Sequence, residues 1–404
     1  MEVVYRSCAG IDVHKKTAVV HIRKDAYEET RTFQTMTRDL LTLRDWLVSQ
    51  QVTQVAIEST GVYWKPVFNL LEGACEVILV NAKHIKNVPG RKTDVKDARW
   101  LADLLRHGLL KASFIPPAPV RELRDLTRHR AKLQDQQAAV ANRMIKILED
   151  CNLKLRSVVS DIQGKSALHI IEQLAAGESS AEQLAQLARG RLRSKLDELE
   201  LALEGQVKEH HRFLLRELLA QWRYLEGAVA RVESEIEARM PPFETAATIW
   251  DAIPGIDRVV AQVVAAEIGI RMEQFPTAGH LSSWAGICPG LNESAGKRHS
   301  GKTTDGNVWL RRALIQAAWS ASRTKNCYFN SLYHRLAGRR GKKRAIVAVA
   351  HSLLVVIYHT LKNGVIYQEL GADFFERTNE ERVVQKSIQR LNKLGYTVTV
   401  QKAA

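Results

Sequence analysis

The stretch DVKDAR, residues 94 to 99, holds two carboxylates three residues apart, Asp94 and Asp97, among the cations Lys92, Lys96 and Arg99. On a helix that spacing puts both acids on one side. Two carboxylates held so close repel each other unless a divalent cation lies between them. Two further acids invite the same chemistry. Asp12 lies in the apolar run AGIDV, where a buried aspartate is costly unless paired or bound to metal. Glu58 closes the run VAIES and so sits at a strand end. Taken singly, each has a plain use, as a turn cap or as part of a solvated charged face. Together, Asp12, Glu58, Asp94 and Asp97 form a four-carboxylate set suited to two Mg²⁺ ions roughly 4 Å apart. One ion would lower the pKa of an attacking water or hydroxyl, and the other would stabilise the leaving oxygen. Lys92, Lys96 and Arg99 would hold the phosphates.

The elements that must position these acids can be read from periodicity. SCAGIDV reads as a buried strand, KKTAVVHIRKD as its hairpin partner and EETRTFQT as a third strand. RDLLTLRDWLVSQ has helical spacing, VTQVAIES is a strand, and GVYWKPVFNLLEGA is a helix entered through Gly61. CEVILVNA is another strand, followed by the basic loop KHIKNVPGRK and the helix DVKDARWLADLLRHGLL. Three strands followed by alternating helices and strands predict a mixed sheet covered by helices. Strand order permits the acids to meet at one edge of that sheet, which is the logic of RNase H-like nucleases.

FIPPAP, residues 114 to 119, separates this α/β domain, 1–115, from the rest of the chain. In 116–242, Leu126, Leu133, Val140 and Ile147 recur every seven residues, and Leu192 to Ile236 again shows spacings of three and four. Long helices are expected, packed on each other or, as a coiled coil, on a second chain. PPFE opens a third region, 243–362, whose TIWDAIPGIDRVVAQVVAAEIG predicts a helix-hairpin-helix element. Its turn, with Gly255, would present N–H groups to phosphate. A Gly-rich loop then leads to a helix with Arg311 and Arg312, and AGRRGKKR leads to an apolar helix. The tail, 363–404, is charged.

The 404 residues carry a net charge of +15, with a pI near 9.6. Residues 297–344 hold 13 Lys/Arg against one acid, so most of the excess lies in that stretch. A polyanionic partner is the expectation, and an acidic membrane is the weaker alternative. The five cysteines are scattered without a CxxC pair, which argues against a zinc site or a disulfide framework and fits a reducing cytoplasm. The N-terminus has no long apolar h-region, and the run SLLVVIY is too short to span a bilayer.

GIDVHKKT, AIESTGVYW and GRKTDVKDARWLADLL, in that order, resemble the DEDD-type insertion-sequence transposases of the insertion-sequence one-ten family. IPGI…AAEIG followed by WAGICPGLNESAGK…GNVWLRRAL resembles that family's C-terminal transposase domain. The likeness covers roughly residues 7 to 115 and 245 to 362. It implies a RuvC-like N-terminal domain with Asp12, Glu58, Asp94 and Asp97 binding Mg²⁺ or Mn²⁺, and a catalytic serine in the C-terminal domain. Ser294 in ESAGK matches that serine. The family often has two adjacent serines before the glycine; this chain has Ser-Ala, and Ser300 in HSGK is the reserve. The resemblance also implies a covalent phosphoserine intermediate, donor and target DNA, a structured bridge RNA as guide, and dimers that pair into a synaptic tetramer in the bacterial cytoplasm, on the nucleoid. Lys297, Arg298, Lys302, Arg311, Arg312, Arg339, Arg340, Lys342, Lys343 and Arg344 would contact nucleic acid. A junction-resolving nuclease would need the four acids but not Ser294. A nucleic-acid-binding protein with a lapsed nuclease domain would have no reason to keep all four, and a DDE transposase would use three carboxylates with wider late spacing.

Overall fold

The computed structural model describes residues 2–59, 61–81, 94–177, 180–288, 292–294, 297–300, 303, 305–378 and 380–399; for 94–96, 292–294, 297–300, 380–383 and 386 it describes the backbone. The chain divides into two units, Met1–Ile115 and Pro116–Ala404.

In the N-terminal unit β1 (Cys8–Val13), β2 (Thr17–Arg23) and β3 (Glu28–Gln34) are followed by α1 (Thr37–Ser49), β4 (Gln54–Glu58), α2 (Trp64–Leu71), β5 (Glu76–Val80) and α3 (Asp94–Arg106). The sheet order is β3-β2-β1-β4-β5. β1, β2 and β3 pair antiparallel; β1, β4 and β5 pair parallel. The sheet is thus mixed, as the pattern of strands and helices predicted. β1 is central and buried along its whole length, which is why CAGIDV reads as continuous rather than alternating. β3 is one of the two outer strands, and its polar EETRTFQ is largely exposed.

Both faces of the sheet are covered. Ala9, Ile11 and Val13 join Val20, Ile22, Val55 and Ile57 in one core, closed by Leu40, Leu43 and Leu47 of α1 at helical spacing. The other face receives α3 through Leu101 and Leu105, which cluster with Cys8, Ala56 and Val80. A Cβ at Gly10 would overlap the Ala98 carbonyl oxygen, so only glycine lets α3 lie directly on β1.

The C-terminal unit is mostly helical. Its longer elements are α4 (Ala118–Asp150), α5 (Lys165–Ala176), α6 (Glu209–Ala238), α7 (Glu244–Asp251), α8 (Arg258–Ile268), α9 (Ala278–Trp284), the hairpin β6 (Asn292–Ser294) and β7 (Lys297–Ser300), α10 (Val308–Arg323), α11 (Tyr328–Arg340), α12 (Lys342–Asn363) and α13 (Glu380–Lys393). Leu133, Val140, Met144 and Leu148 of α4 share one core with Leu215, Leu218, Trp222 and Leu225 of α6, and with Ile170, Ile171 and Leu174 of α5. Within the chain these long helices pack on each other along the apolar seam. The Leu192 to Ile236 stretch is not one helix. A 3₁₀ turn at Gly190–Lys195, a short helix at Leu196–Leu203 and a break precede α6.

α12 is long and apolar enough to cross a membrane by length and composition, longer than the SLLVVIY run suggested. Here Ile346, Val349, Leu353, Leu354 and Ile357 are buried core residues, and the Tyr358 hydroxyl donates to the Phe275 carbonyl at 3.0 Å. The start of the tail is anchored. Glu369 accepts from the Tyr328 N–H at 2.7 Å, and Phe374 and Phe375 pack on the Tyr328 ring.

Candidate active site

Side chains alternate along a strand, so Asp12 faces the same way as Cys8 and Gly10, toward α3. Glu58 follows Ala56 onto that same face. β1 and β4 are adjacent and parallel, with Ile11 opposite Ile57, so Asp12 and Glu58 are neighbours at the same end of two paired strands. Asp12 is 5% exposed, and Glu58 is half-buried.

α3 directs the backbone of its first turn, which bears the other two acids, toward that end of the sheet. The Arg106 carbonyl accepts from the Val4 and Tyr5 N–H groups, the Cys8 thiol donates to the Ala102 carbonyl at 3.6 Å, and Gly10 lies against Ala98. The helix therefore runs opposite to β1, and its first turn comes to the Asp12 end. Asp94 begins that turn and Asp97 lies one turn in, half-buried, beside Ala98, which packs on the sheet. The Asp94 side chain lies outside the described residues. One neighbour has no signal in the spacing: His14 Nε2 stands 3.2 Å from Asp12 Oδ2.

All four acids offer carboxylate oxygen, the donor that Mg²⁺ and Mn²⁺ take. The fit is one of donor type and of place in the fold. Among the described residues, no three His, Cys, Asp or Glu side chains stand close enough to hold an ion.

A cluster of charges flanks this face of the sheet. Arg23 bridges Asp103 at 2.8 Å and Glu28 at 3.1 Å, and Arg99 pairs with Glu28 at 3.0 Å. His21 is buried beneath them, with Nδ1 2.7 Å from the Thr30 hydroxyl, and burial pushes its pKa below the usual 6.5. Arg99, expected to hold phosphate, thus has a carboxylate partner already. Lys92 lies outside the described residues, as does the Lys96 side chain.

In the C-terminal unit Ser294 ends β6, opposite Lys297 of β7. Ser300 pairs with Asn292. The side chains of this hairpin, those of Lys297 and Arg298 included, lie outside the described residues, as does Lys302. A Cβ at Gly306 would overlap the Gly286 backbone, so the two glycines close a neck. The Asn307 N–H donates to the Trp284 carbonyl at 3.2 Å, and Arg311 donates to the Gly286 carbonyl at 3.2 Å. Asn307 caps α10, its side-chain oxygen accepting from the Trp309 and Leu310 N–H groups at 3.0 Å.

Sequence reasoning passes over Glu267, which is fully buried. Arg128 grips both its oxygens at 2.7 and 2.8 Å, Asn307 donates to Oε2 at 2.6 Å, and Arg124 lies 3.5 Å away. The signal is present in AAEIG, an acid in an apolar run, the same signal that singles out Asp12.

Other expected nucleic-acid contacts divide sharply. Arg312 is committed to Asp135 through two bonds of 2.6 and 2.7 Å, which hold the Asp135 carboxyl below its ordinary range. Gly255 has a packing reason: a Cβ there would overlap the Ala317 carbonyl oxygen of α10. The N-terminus of α8 is capped by Asp257, whose carboxylate accepts from the Val260 N–H at 2.8 Å, and Arg258 pairs with Glu237 and Glu244. The phosphate site expected at this turn is thus already furnished with acids. Arg339, Arg340, Lys342, Lys343 and Arg344 differ: all are exposed at the junction of α11 and α12, with no carboxylate partner among the described residues.

Residues 9–153 match a family model described as a transposase, of the DEDD, IS110 type. Residues 247–334 match the model of the transposase IS116/IS110/IS902 family. The chain is 24% identical over 370 residues to a Pseudomonas aeruginosa protein named "Probable family 20 transposase", covering 89% of this chain and 98% of that one. It is 29% identical over 129 residues to an insertion element IS110 protein of 43.6 kDa from Streptomyces coelicolor, about 30% of each chain.

Proposed function

Because the chain belongs to the IS110 family of transposases, we propose that it is the recombinase of an insertion sequence, cutting and rejoining donor and target DNA through a covalent phosphoserine link. The placement of Asp12 and Glu58 on one face of adjacent strand ends, near the helix turn that bears Asp94 and Asp97, supports metal-dependent cleavage; the serine step rests on the match of Ser294 in ESAGK to the family's serine.

Asp12, Glu58, Asp94 and Asp97 would hold Mg²⁺ or Mn²⁺. Bound there, the ions would ease deprotonation of the attacking hydroxyl and stabilise charge on the leaving oxygen. Ser294 supplies the nucleophile. Its Oγ attacks the scissile phosphorus, the Oγ–P bond forms, and the P–O bond to the departing sugar oxygen breaks. The serine hydroxyl gives up its proton, and the departing oxygen gains one. Nothing is oxidised or reduced. One phosphoester replaces another, so a sugar hydroxyl of the second DNA can reverse the step and reseal the strand without ATP. The reading requires the carboxylates of the N-terminal unit and the serine of the C-terminal unit to act on the same phosphate. Self-association as dimers and a synaptic tetramer would allow two subunits to share that task.

The exposed cations at 339–344 support binding of a nucleic-acid backbone. Sequence choice would then fall to a bridge RNA that base-pairs with both DNAs, while the protein reads shape and backbone. Copurification tests this part. The chain is expressed with the noncoding DNA flanking its gene, and RNA retained at about physiological salt is sequenced. One discrete RNA from the flank is expected; random cellular RNA, or none, would remove the guide from the account.

A further inference from the structure

The segment that carries Ser294 leaves the core at Gly286 and returns to it at Gly306. Between Gly286 and Gly306 lie the β6–β7 hairpin and its connections, and at the neck the two glycines touch backbone to backbone. The groups that fix this neck lie outside the loop. Asn307, the first residue past it, uses its side-chain oxygen to cap α10 and its amide nitrogen to reach Glu267 on α8. Glu267 in turn is clamped by Arg128 and Arg124 of α4, and Arg124 also donates to the Glu267 and Ala266 carbonyls at 2.7 and 3.0 Å. A fully buried carboxylate is costly to keep. Among the described residues every strong donor around it belongs to α4 or to Asn307, so the charge links three helices at the point where the loop returns to the core.

We infer that Glu267 is a positioning residue for strand cleavage, acting through Asn307 to fix the neck of the loop that bears Ser294. This rests on Ser294 being the nucleophile. Neither Glu267 nor Asn307 need touch DNA. Their effect is on where the serine stands, and misplacement of a nucleophile by an ångström is enough to slow attack about 100-fold.

Asn307→Ser cuts this link selectively. Serine keeps a cap oxygen for the Trp309 and Leu310 N–H groups but has no amide to reach Glu267. The full chain, with the RNA it copurifies, is mixed with Mg²⁺ and a supercoiled plasmid carrying the DNA that flanks its gene. Detergent-resistant protein–DNA adduct is followed in single-turnover conditions across plasmid concentrations, for wild type, Asn307→Ser, Glu267→Gln and Ser294→Ala. The expected result is no adduct with Ser294→Ala, and with Asn307→Ser a rate at saturating plasmid lowered about 10- to 100-fold while the half-saturating concentration is unchanged. A general loss of structure would move both. Should Asn307→Ser fail to fold, Glu267→Gln, which keeps an acceptor but loses the charge that holds Arg128, decides the matter by the same split. If Ser294→Ala abolishes the adduct and the neck variants react as fast as wild type, the inference falls and the nucleophile stands. If Ser294→Ala still forms the adduct, both fall.

Discussion

Asp12 and Asp97 carry the sharpest predictions at the scale of the residue. Replacing either by asparagine keeps its size and removes its charge. Asp12→Asn and Asp97→Asn should each abolish DNA cleavage while leaving plasmid binding in place, as read by gel cleavage and filter retention side by side. Cleavage by either variant at the wild-type rate would remove that acid from the site. His21 makes a different prediction, about stability. Burial lowers its folded pKa below the ordinary 6.5, so the folded protein binds that proton less readily than the unfolded chain. The stabilisation is therefore present above pH 6.5 and is lost as pH falls below it toward the lowered folded value. Chemical denaturation between about pH 7 and pH 5 should show this slope, and His21→Gln should flatten it. Asp12, Glu58, Asp94 and Asp97 stand out in the sequence because an acid in an apolar run, or two acids one turn apart, breaks a local rule visibly. Glu267 breaks the same rule in AAEIG. It escapes a reading by spacing because its explanation is a pair of arginines more than a hundred positions earlier, and spacing does not report contacts of that range.

At the scale of the element, the described strands and helices of the first 115 residues follow from alternation and periodicity. α3 against β1 shows how little tolerance that arrangement has. Gly10→Ala should push the helix off the strand, costing about 1–3 kcal/mol and lowering the melting temperature, and it should reduce cleavage by moving Asp94 and Asp97 away from Asp12. An unchanged melting temperature would mean that α3 does not press on Gly10. The long helices are legible in part. A seven-residue repeat states which face of α4 is buried, but it does not state against which partner. Leu133, Val140 and Met144 meet α6 and α5 of the same chain, a pairing set by the break at 204–208 and by the turn back through α5. The two helices at 244–268 and the turn between them are visible in the sequence. The turn alone suggests a phosphate role, whereas Asp257, Glu237 and Glu244 come to surround it only on folding.

At the scale of the molecule, the positive charge is concentrated late in the chain, yet its members are not equivalent. Arg99 and Arg312 pair with Glu28 and Asp135, whereas Arg339, Arg340, Lys342, Lys343 and Arg344 have no carboxylate partner among the described residues. Charge reversal at Arg339, Arg340, Lys342 and Lys343 should weaken plasmid binding and flatten its salt dependence, by about 0.9 in the logarithmic slope for each phosphate no longer neutralised. Charge reversal at Arg312 should do so far less and instead loosen its hold on Asp135. Composition reveals the excess of cations, but their partners depend on packing that composition does not encode.

The central claim is that a serine, and not water, attacks the phosphate. The most direct measurement is mass spectrometry of the protein after reaction with the flank-bearing plasmid and Mg²⁺, followed by nuclease digestion. A nucleotide phosphate esterified to Ser294, absent when Asp97→Asn or Ser294→Ala is used, is the predicted result. Cleaved DNA with free ends and no nucleotide attached to any serine would contradict it, and would make the four carboxylates the site of a water-using nuclease.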